Sequence, residues 1–343
     1  MILSSPRFAG TFPVKPIPDQ AEPAFFSFPG NPLDCKTTDG FPLMLPAISR
    51  FQLRVNSILS GLYGDRLAER GSALALPMQL LHDGRQLDQN APAPAAPQSV
   101  LVIFIHGLMG SETIWSYPKQ PDQSYAASIA ASIPSNSIFL RYNSGLPVKS
   151  NAGDLSEMLE TLVVNWPIRP DRIILVGHSM GGLLIRNTVF LAIATGRKWI
   201  HALRECVYIG TPHDGSWLAR GAEATAGWLR RMPRDYLRVA GEAIDLRSEG
   251  IKNLSRRAIA DCAESPLPLA PKVRHYSVSG SLSEQRTSIA RRAFGDGLVH
   301  ESSARGGSNS EWPWTDHASF PGIGHIQLAR HPAVARKIVQ WLS

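Results

Sequence analysis

Short, continuous apolar runs alternate with helically spaced segments along most of the chain after residue 100. The runs are rich in β-branched residues, which is typical of strands buried on both faces of a sheet. We predict five such strands, at 100–108, 137–142, 172–177, 205–213 and 273–280. Because strands that alternate with helices of this length pack into a mostly parallel sheet, the pattern predicts an α/β fold with helices on both faces.

The segments between these runs carry apolar residues spaced as on one face of a helix, as Leu155, Leu159 and Leu162 are. We predict helices near 47–63, around 124–132, over 152–166 and 182–194, and at the C terminus. Ahead of the first buried strand, Asp83-Gly84 between two short apolar runs predicts a β-hairpin.

Proline content divides the chain near residue 46. Residues 1–46 hold nine prolines and are predicted to form an extended lead-in, so the folded domain is placed at 47–343. Within it, residues 217–272 predict a helical insertion between two strands, at the edge of the sheet where ligands bind. The insertion is either a cap or lid over a site or a segment that only packs on the sheet, and the sequence leaves both open.

The composition is that of a globular chain with a sizeable core, since 43% of the residues are hydrophobic and 18% are charged. The formal net charge is +7, but basic and acidic residues are interspersed and no nucleic-acid recognition motif accompanies them. We therefore expect no nucleic-acid partner. Peripheral contact with a membrane or lipid, and the oligomeric state, stay open.

Three cysteines, Cys35, Cys206 and Cys262, are too widely spaced for a disulfide framework or a zinc pattern. One of them would stay unpaired in an oxidising compartment, which favours a reducing one. The first residues lack the apolar stretch of a secretory signal, and no apolar run of about 18 residues predicts a membrane span. The expectation is a cytoplasmic protein without a metal or cofactor.

The third predicted strand leads into Gly-His-Ser-Met-Gly, residues 177–181, and then into a predicted helix. A serine between two glycines at this point indicates either a simple tight turn or a nucleophile elbow, a strained turn that presents one hydroxyl. The strand before Ser179 and the helix after it favour the elbow. We expect His178 to point to the other side of the turn and to be structural.

A serine nucleophile needs a base, and the base needs a group that orients it. In an open α/β sheet we expect these to follow the serine in the order acid, then histidine. Asp296, in a Gly-Asp-Gly turn after the fifth strand, and His325, in a glycine-rich loop before the last helix, fit this order. We therefore predict Ser179, Asp296 and His325 as the catalytic residues.

Other residues of the same types are kept as alternatives. His317 is the reserve base, and Asp214 and Asp316 are the reserve acids. His331 precedes a proline and is better explained as the entry to the last helix.

An oxyanion hole is normally built from backbone N–H groups. Met180 follows the predicted nucleophile and supplies one such group, and Leu108, in the loop after the first buried strand, is the candidate for the second. His106 and Gly107 would shape this loop, with the glycine allowing a close approach, rather than take part in the chemistry.

Taken in order, the motifs HGLMGS, RYNSG, GHSMGG, GTPHDGS, DGLV and GIGHIQLARHP resemble the α/β-hydrolase superfamily. Within it, they are similar to bacterial lipase- and esterase-like members grouped with the GPI inositol-deacylase-like hydrolases. The resemblance runs from about residue 55 to the end of the chain and leaves out the proline-rich segment. It implies an α/β-hydrolase fold and the Ser179, Asp296 and His325 triad, and it says little about the substrate.

Together these residues predict hydrolysis of a small-molecule or lipid carboxylic ester through an acyl-enzyme on Ser179. Two other interpretations stay open: acyl transfer to an alcohol by the same residues, and a binding protein on an inactive hydrolase scaffold. Trp217, Trp228 and Leu229 in the predicted insertion suggest an apolar acyl pocket, but they would serve equally well as core.

Overall fold

The computed structural model describes residues 49–72, 74–92, 94–117, 120–213, 267–281, 304 and 312–343. The predicted proline-rich extension, the predicted cap from residue 217 to 266, and Asp296 lie outside these residues. All five predicted strands lie inside them.

An eight-stranded sheet lies at the centre of the described residues, and a separate pair, β4 and β5, is antiparallel. The strands are β1 (Gln79–His82), β2 (Arg85–Leu87), β3 (Val100–Ile105), β4 (Ser116–Tyr117), β5 (Gln120–Ser124), β6 (Asn136–Arg141), β7 (Arg172–His178), β8 (Leu203–Ile209), β9 (Arg274–Ser281) and β10 (Asp316–Pro321). Across the sheet the order is β10-β9-β8-β7-β3-β6-β1-β2. The strands from β10 to β6 are parallel, and β1 pairs antiparallel with both β6 and β2, so the predicted mostly parallel sheet is confirmed.

Helices cover both faces of this sheet. They are α1 (Arg50–Glu69), α2 (Tyr125–Ala130), α3 (Val148–Asn165), α4 (Met180–Ala194), α5 (His325–Leu328) and α6 (Pro332–Leu342). Successive side chains of a strand point to opposite faces. In β3, Leu101, Ile103 and Ile105 join the core under α3 and α4, whereas Val102 and Phe104 join the core under α2 and α6. All five are fully buried, which explains the continuous apolar run.

The turn of the predicted hairpin is confirmed between β1 and β2. Asp83 and Gly84 both have positive φ, 49° and 73°, as a two-residue type I′ turn requires. The sequence did not predict the β4–β5 pair, the strand β10 or the short helix α5, where His325 was expected in a loop. Among the described residues β10 pairs on one side only, and its residues are exposed or partly buried, so it carries no continuous apolar run.

No helix in the described parts of the chain has the length and hydropathy that a membrane-spanning segment needs.

A buried carboxylate ties the sheet together at its amino-terminal side, opposite to the end of β7. Glu205 in β8 is fully buried and accepts two hydrogen bonds from Arg172, at 3.0 and 3.1 Å. Arg274 of β9 also pairs with it. Arg172 in addition donates to the main-chain oxygen of Leu342 at 2.6 Å, which ties the C-terminal helix to the same cluster.

We predict that Glu205→Gln lowers the free energy of unfolding by about 3 kcal/mol, because two guanidinium groups lose their shared buried partner. Denaturant titration measures this. Glu157→Gln is the matched control: Glu157 pairs with Arg197 at the surface, and its loss should cost less than about 1 kcal/mol. Equal losses in the two variants would contradict the prediction.

Candidate active site

Ser179 lies at the junction of β7 and α4 in a strained backbone conformation. Its φ is 56° and its ψ is −125°, and such a conformation is rare for a residue with a side chain. The N–H of Ser179 donates to the carbonyl of Ile209 at the end of β8, at 2.8 Å, and its own carbonyl accepts from Gly182, at 3.0 Å. This is the backbone geometry of a nucleophile elbow, at the carboxyl end of a central strand.

Glycines make the tight turn around Ser179 sterically feasible. A Cβ at Gly181 would lie 2.6 Å from the carbonyl oxygen of His106 and would also strike that of Ile105. A Cβ at Gly177 would lie 2.8 Å from the backbone of Gly181. The start of α4 therefore packs directly against the end of β3, which only residues without a side chain permit.

His325 begins the short helix α5 and is buried beside the turn that holds Ser179. Its ring lies over Gly210, whose φ is +59° and whose added Cβ would come within 3.1 Å of His325 Nδ1. Gly210 directly follows Ile209, the residue that accepts from the Ser179 N–H. The structure thus places the predicted base and the predicted nucleophile around one short backbone segment.

His178, the residue before Ser179, contacts His325 as well. Its Nε2 lies 3.0 Å from the main-chain oxygen of His325, and the two rings are 4.8 Å apart. A carbonyl oxygen only accepts, so Nε2 carries the proton and donates. Burial holds the pKa of His178 well below its usual range, and the ring is therefore neutral at pH 7. The sequence indicated a structural role for His178 but not this contact.

The alternative residues lie elsewhere. Asp316 and His317 are in β10, three strands away from β7, which is about 14 Å at the usual strand spacing. Asp316 accepts from Trp341 at 2.7 Å and pairs with Lys337, both in α6. His331 caps α6 by accepting from Ala333, as expected.

The acids that the sequence places nearest to the site, Asp296 and Asp214, lie outside the described residues. Asp296 therefore remains the predicted acid on its place in the sequence alone.

The loop after β3 lies against Ser179. A Cβ added to Gly107 would sit 2.8 Å from Ser179 Cβ and 3.4 Å from Ser179 Oγ. Leu108 follows in this loop, and Gly110 donates to the Gly107 carbonyl at 3.1 Å, closing a turn. On the other side, Met180 is the first residue of α4, where N–H groups have no acceptor within the helix. The segments that carry the two predicted oxyanion donors thus both adjoin Ser179, and the donors themselves stay predictions.

His106 supports this loop in its neutral form. Its Nδ1 lies 2.8 Å from the Gly107 carbonyl and donates to it, and its ring stacks on Tyr142 with centroids 4.4 Å apart. The Tyr142 hydroxyl donates to the His106 carbonyl at 2.8 Å. Burial lowers the pKa of His106 to about 4. Tyr142 belongs to the RYNSG motif, whose role the sequence did not reveal. The available signal was the parallel order of the strands: β3 and β6 are neighbours, so the segments that follow them meet at the same edge of the sheet.

A sequence model of the Alpha/beta hydrolase family matches residues 102–289, more than half of the chain. The chain belongs to this family, which confirms the predicted fold and superfamily. A comparison with curated proteins found no match. The finer similarity to GPI inositol-deacylase-like hydrolases stays a prediction.

Solved structures are similar to the chain at low sequence identity. A lipase from Bacillus licheniformis in its mature form is 17% identical with a TM-score of 0.48, over 77% of this chain and 97% of the lipase. An esterase from Pyrococcus furiosus is 13% identical with a TM-score of 0.45, over 78% and 89%. An esterase from Rhodococcus sp. is 16% identical with a TM-score of 0.42, over 78% and 99%. Similarities of this size carry no argument about activity.

We predict that His106→Asn flattens the dependence of stability on acid pH. The pKa of His106 is about 4 in the folded protein and 6.5 in its usual range, so the unfolded chain binds the proton first as the pH falls. Stability that is fully present above pH 6.5 is then lost towards pH 4, by about 3 kcal/mol for this one group. The asparagine amide can keep the hydrogen bond to Gly107 without titrating.

Denaturant titrations at several pH values between 4 and 7.5 give the change in the free energy of unfolding with pH, for the wild type and for His106→Asn. The wild type should lose stability faster by about 1.4 kcal/mol per pH unit within this window. Parallel profiles for wild type and variant would show that His106 is not held neutral by the fold.

Proposed function

We propose that this member of the alpha/beta hydrolase family is a serine carboxylic-ester hydrolase of the esterase or lipase type, and that it forms an acyl-enzyme on Ser179. One observation carries the proposal. Ser179 has the strained backbone of a nucleophile elbow at the end of a central parallel strand, with His325 buried over the adjoining Gly210. A strained serine whose surroundings fix its conformation so closely is a mark of a functional position.

In the proposed reaction, His325 accepts the Ser179 proton as the oxygen attacks the ester carbonyl. The N–H groups of Leu108 and Met180 then hold the negative oxygen of the tetrahedral intermediate. The intermediate collapses when His325 returns the proton to the departing alcohol, and a water activated by His325 later releases the acid. Asp296 stays ionised throughout and orients the imidazole.

Burial of both residues supports this chemistry. Ser179 and His325 are each at least 93% buried, with exposed fractions of 7% and 5%. The hydrogen bond that the proposed proton transfer requires between them would therefore be shielded from water, and backbone dipoles directed at the serine would act in a low-dielectric surrounding. The neutral rings of His106 and His178 bring no competing charge to the oxyanion side.

We predict that the full chain hydrolyses p-nitrophenyl esters and that Ser179→Ala lowers kcat by about 10⁶-fold. A series from acetate to palmitate separates a short-chain esterase from a lipase by the acyl length at which kcat/KM is highest. Ser128→Ala is the control, because the Ser128 hydroxyl donates to the carbonyl of Ser124 and lies beside the Tyr117 side chain, and neither residue belongs to the candidate site. Residual turnover in Ser179→Ala close to that of the wild type would refute the proposed nucleophile. Ester products formed with an added alcohol would instead indicate acyl transfer.

We further predict that Asp296→Asn lowers kcat by about 10⁴-fold, because an amide cannot fix the correct imidazole tautomer. Asp316→Asn should leave kcat close to that of the wild type, since Asp316 is bound to α6. Steady-state kinetics of these two variants and of Asp214→Asn identify the acid. A large loss in Asp214→Asn together with a normal Asp296→Asn would assign the acid to residue 214.

A further inference from the structure

Met109, in the loop that carries the proposed donor Leu108, has a backbone conformation that needs support from outside the loop. Its φ is 56°, the left-handed region that residues with a side chain rarely adopt, and it is buried with 6% exposure. Such a conformation is strained and persists only where the surroundings impose it. Two separate parts of the chain impose it here.

The first part is the segment after β6. Ser144 is buried and its Oγ accepts a hydrogen bond from the N–H of Met109, at 2.9 Å. Two residues earlier, the Tyr142 hydroxyl donates to the carbonyl of His106, at 2.8 Å. Residues 142–144 therefore hold the loop on both sides of Leu108.

The second part is α1. A Cβ at Gly61 would strike Met109 Cγ and lie 3.0 Å from Met109 Cα and N, so the helix backbone fits directly against this residue. The side chain of Asn143 donates to the carbonyl of Gly64 in α1 at 2.9 Å. Helix α1 thus contacts both Met109 and the segment that holds it. It precedes residues 102–289, the part of the chain that matches the hydrolase family.

We propose that Ser144 is a positioning residue for the oxyanion hole, and that α1 keeps it and Met109 in place through Asn143 and Gly61. This role rests on the proposed function, in which the N–H of Leu108 stabilises the tetrahedral intermediate. The donor is useful only if it points at the place where negative charge develops. Loss of the support displaces the donor and weakens binding of the transition state, whereas the ground-state ester is bound as before.

The test compares four full-length proteins: wild type, Ser144→Ala, Gly61→Ala and Gly153→Ala. Ser144→Ala removes the acceptor of the Met109 N–H, and Gly61→Ala pushes a methyl group into Met109. Gly153→Ala is the matched control, since Gly153 is also in a helix but its added Cβ meets no atom within 4 Å. The measurements are kcat and KM on one p-nitrophenyl ester, and hydrogen exchange of the backbone amides in 106–110.

We expect kcat to fall by about 10- to 100-fold in Ser144→Ala and in Gly61→Ala, with KM changed by less than about twofold. Exchange in 106–110 should be faster in both variants and unchanged in Gly153→Ala. A local effect is distinguished from a loss of overall stability by its location: a destabilised fold would exchange faster throughout the chain, whereas loss of the support speeds exchange in 106–110 alone.

An active wild type whose two variants keep kcat, or whose variants change KM instead of kcat, overturns this inference and leaves the proposed function intact. Unchanged exchange in 106–110 overturns it too. A folded wild type without turnover overturns the proposed function, and the positioning role with it. If Ser144→Ala does not fold, Gly61→Ala decides by the same criteria.

Discussion

The site depends on how closely the start of α4 approaches the end of β3. Gly181 lies against the carbonyl oxygens of Ile105 and His106, at a distance that admits no side chain. This contact fixes the strained turn at Ser179 and brings the loop after β3 next to the serine. The geometry of the candidate site is therefore a consequence of backbone packing, and the large apolar core of the sheet supplies the stability that maintains the strain.

Buried histidines around this contact act as neutral hydrogen-bond donors. Burial lowers the pKa of His106 to about 4 and that of His178 well below its usual range. His106 donates to the carbonyl of Gly107, and His178 donates to that of His325. Each ring thus supports the backbone of one part of the candidate site: the loop of the proposed oxyanion donor in the first case, and the loop of the proposed base in the second.

Much of the fold could be predicted, because parallel strands buried on both faces need continuous apolar runs and the helices need one apolar face. The tight turn at Ser179 was also predictable, since its glycines satisfy a steric demand that is visible in five residues. By contrast, β10 carries no such run, because it is the outermost described strand and is exposed or partly buried. The hydrogen bond between Met109 and Ser144 joins two loops 35 residues apart, and no local pattern records it.

In the proposed function, Ser179 is a nucleophile that the fold activates. Reaction with a fluorophosphonate, followed by peptide mapping by mass spectrometry, tests it most directly, because the reagent labels only an activated serine. We predict one adduct on the peptide that carries Ser179, and none after unfolding in denaturant. An adduct on a different residue, or a folded protein that takes up no label, would contradict the account.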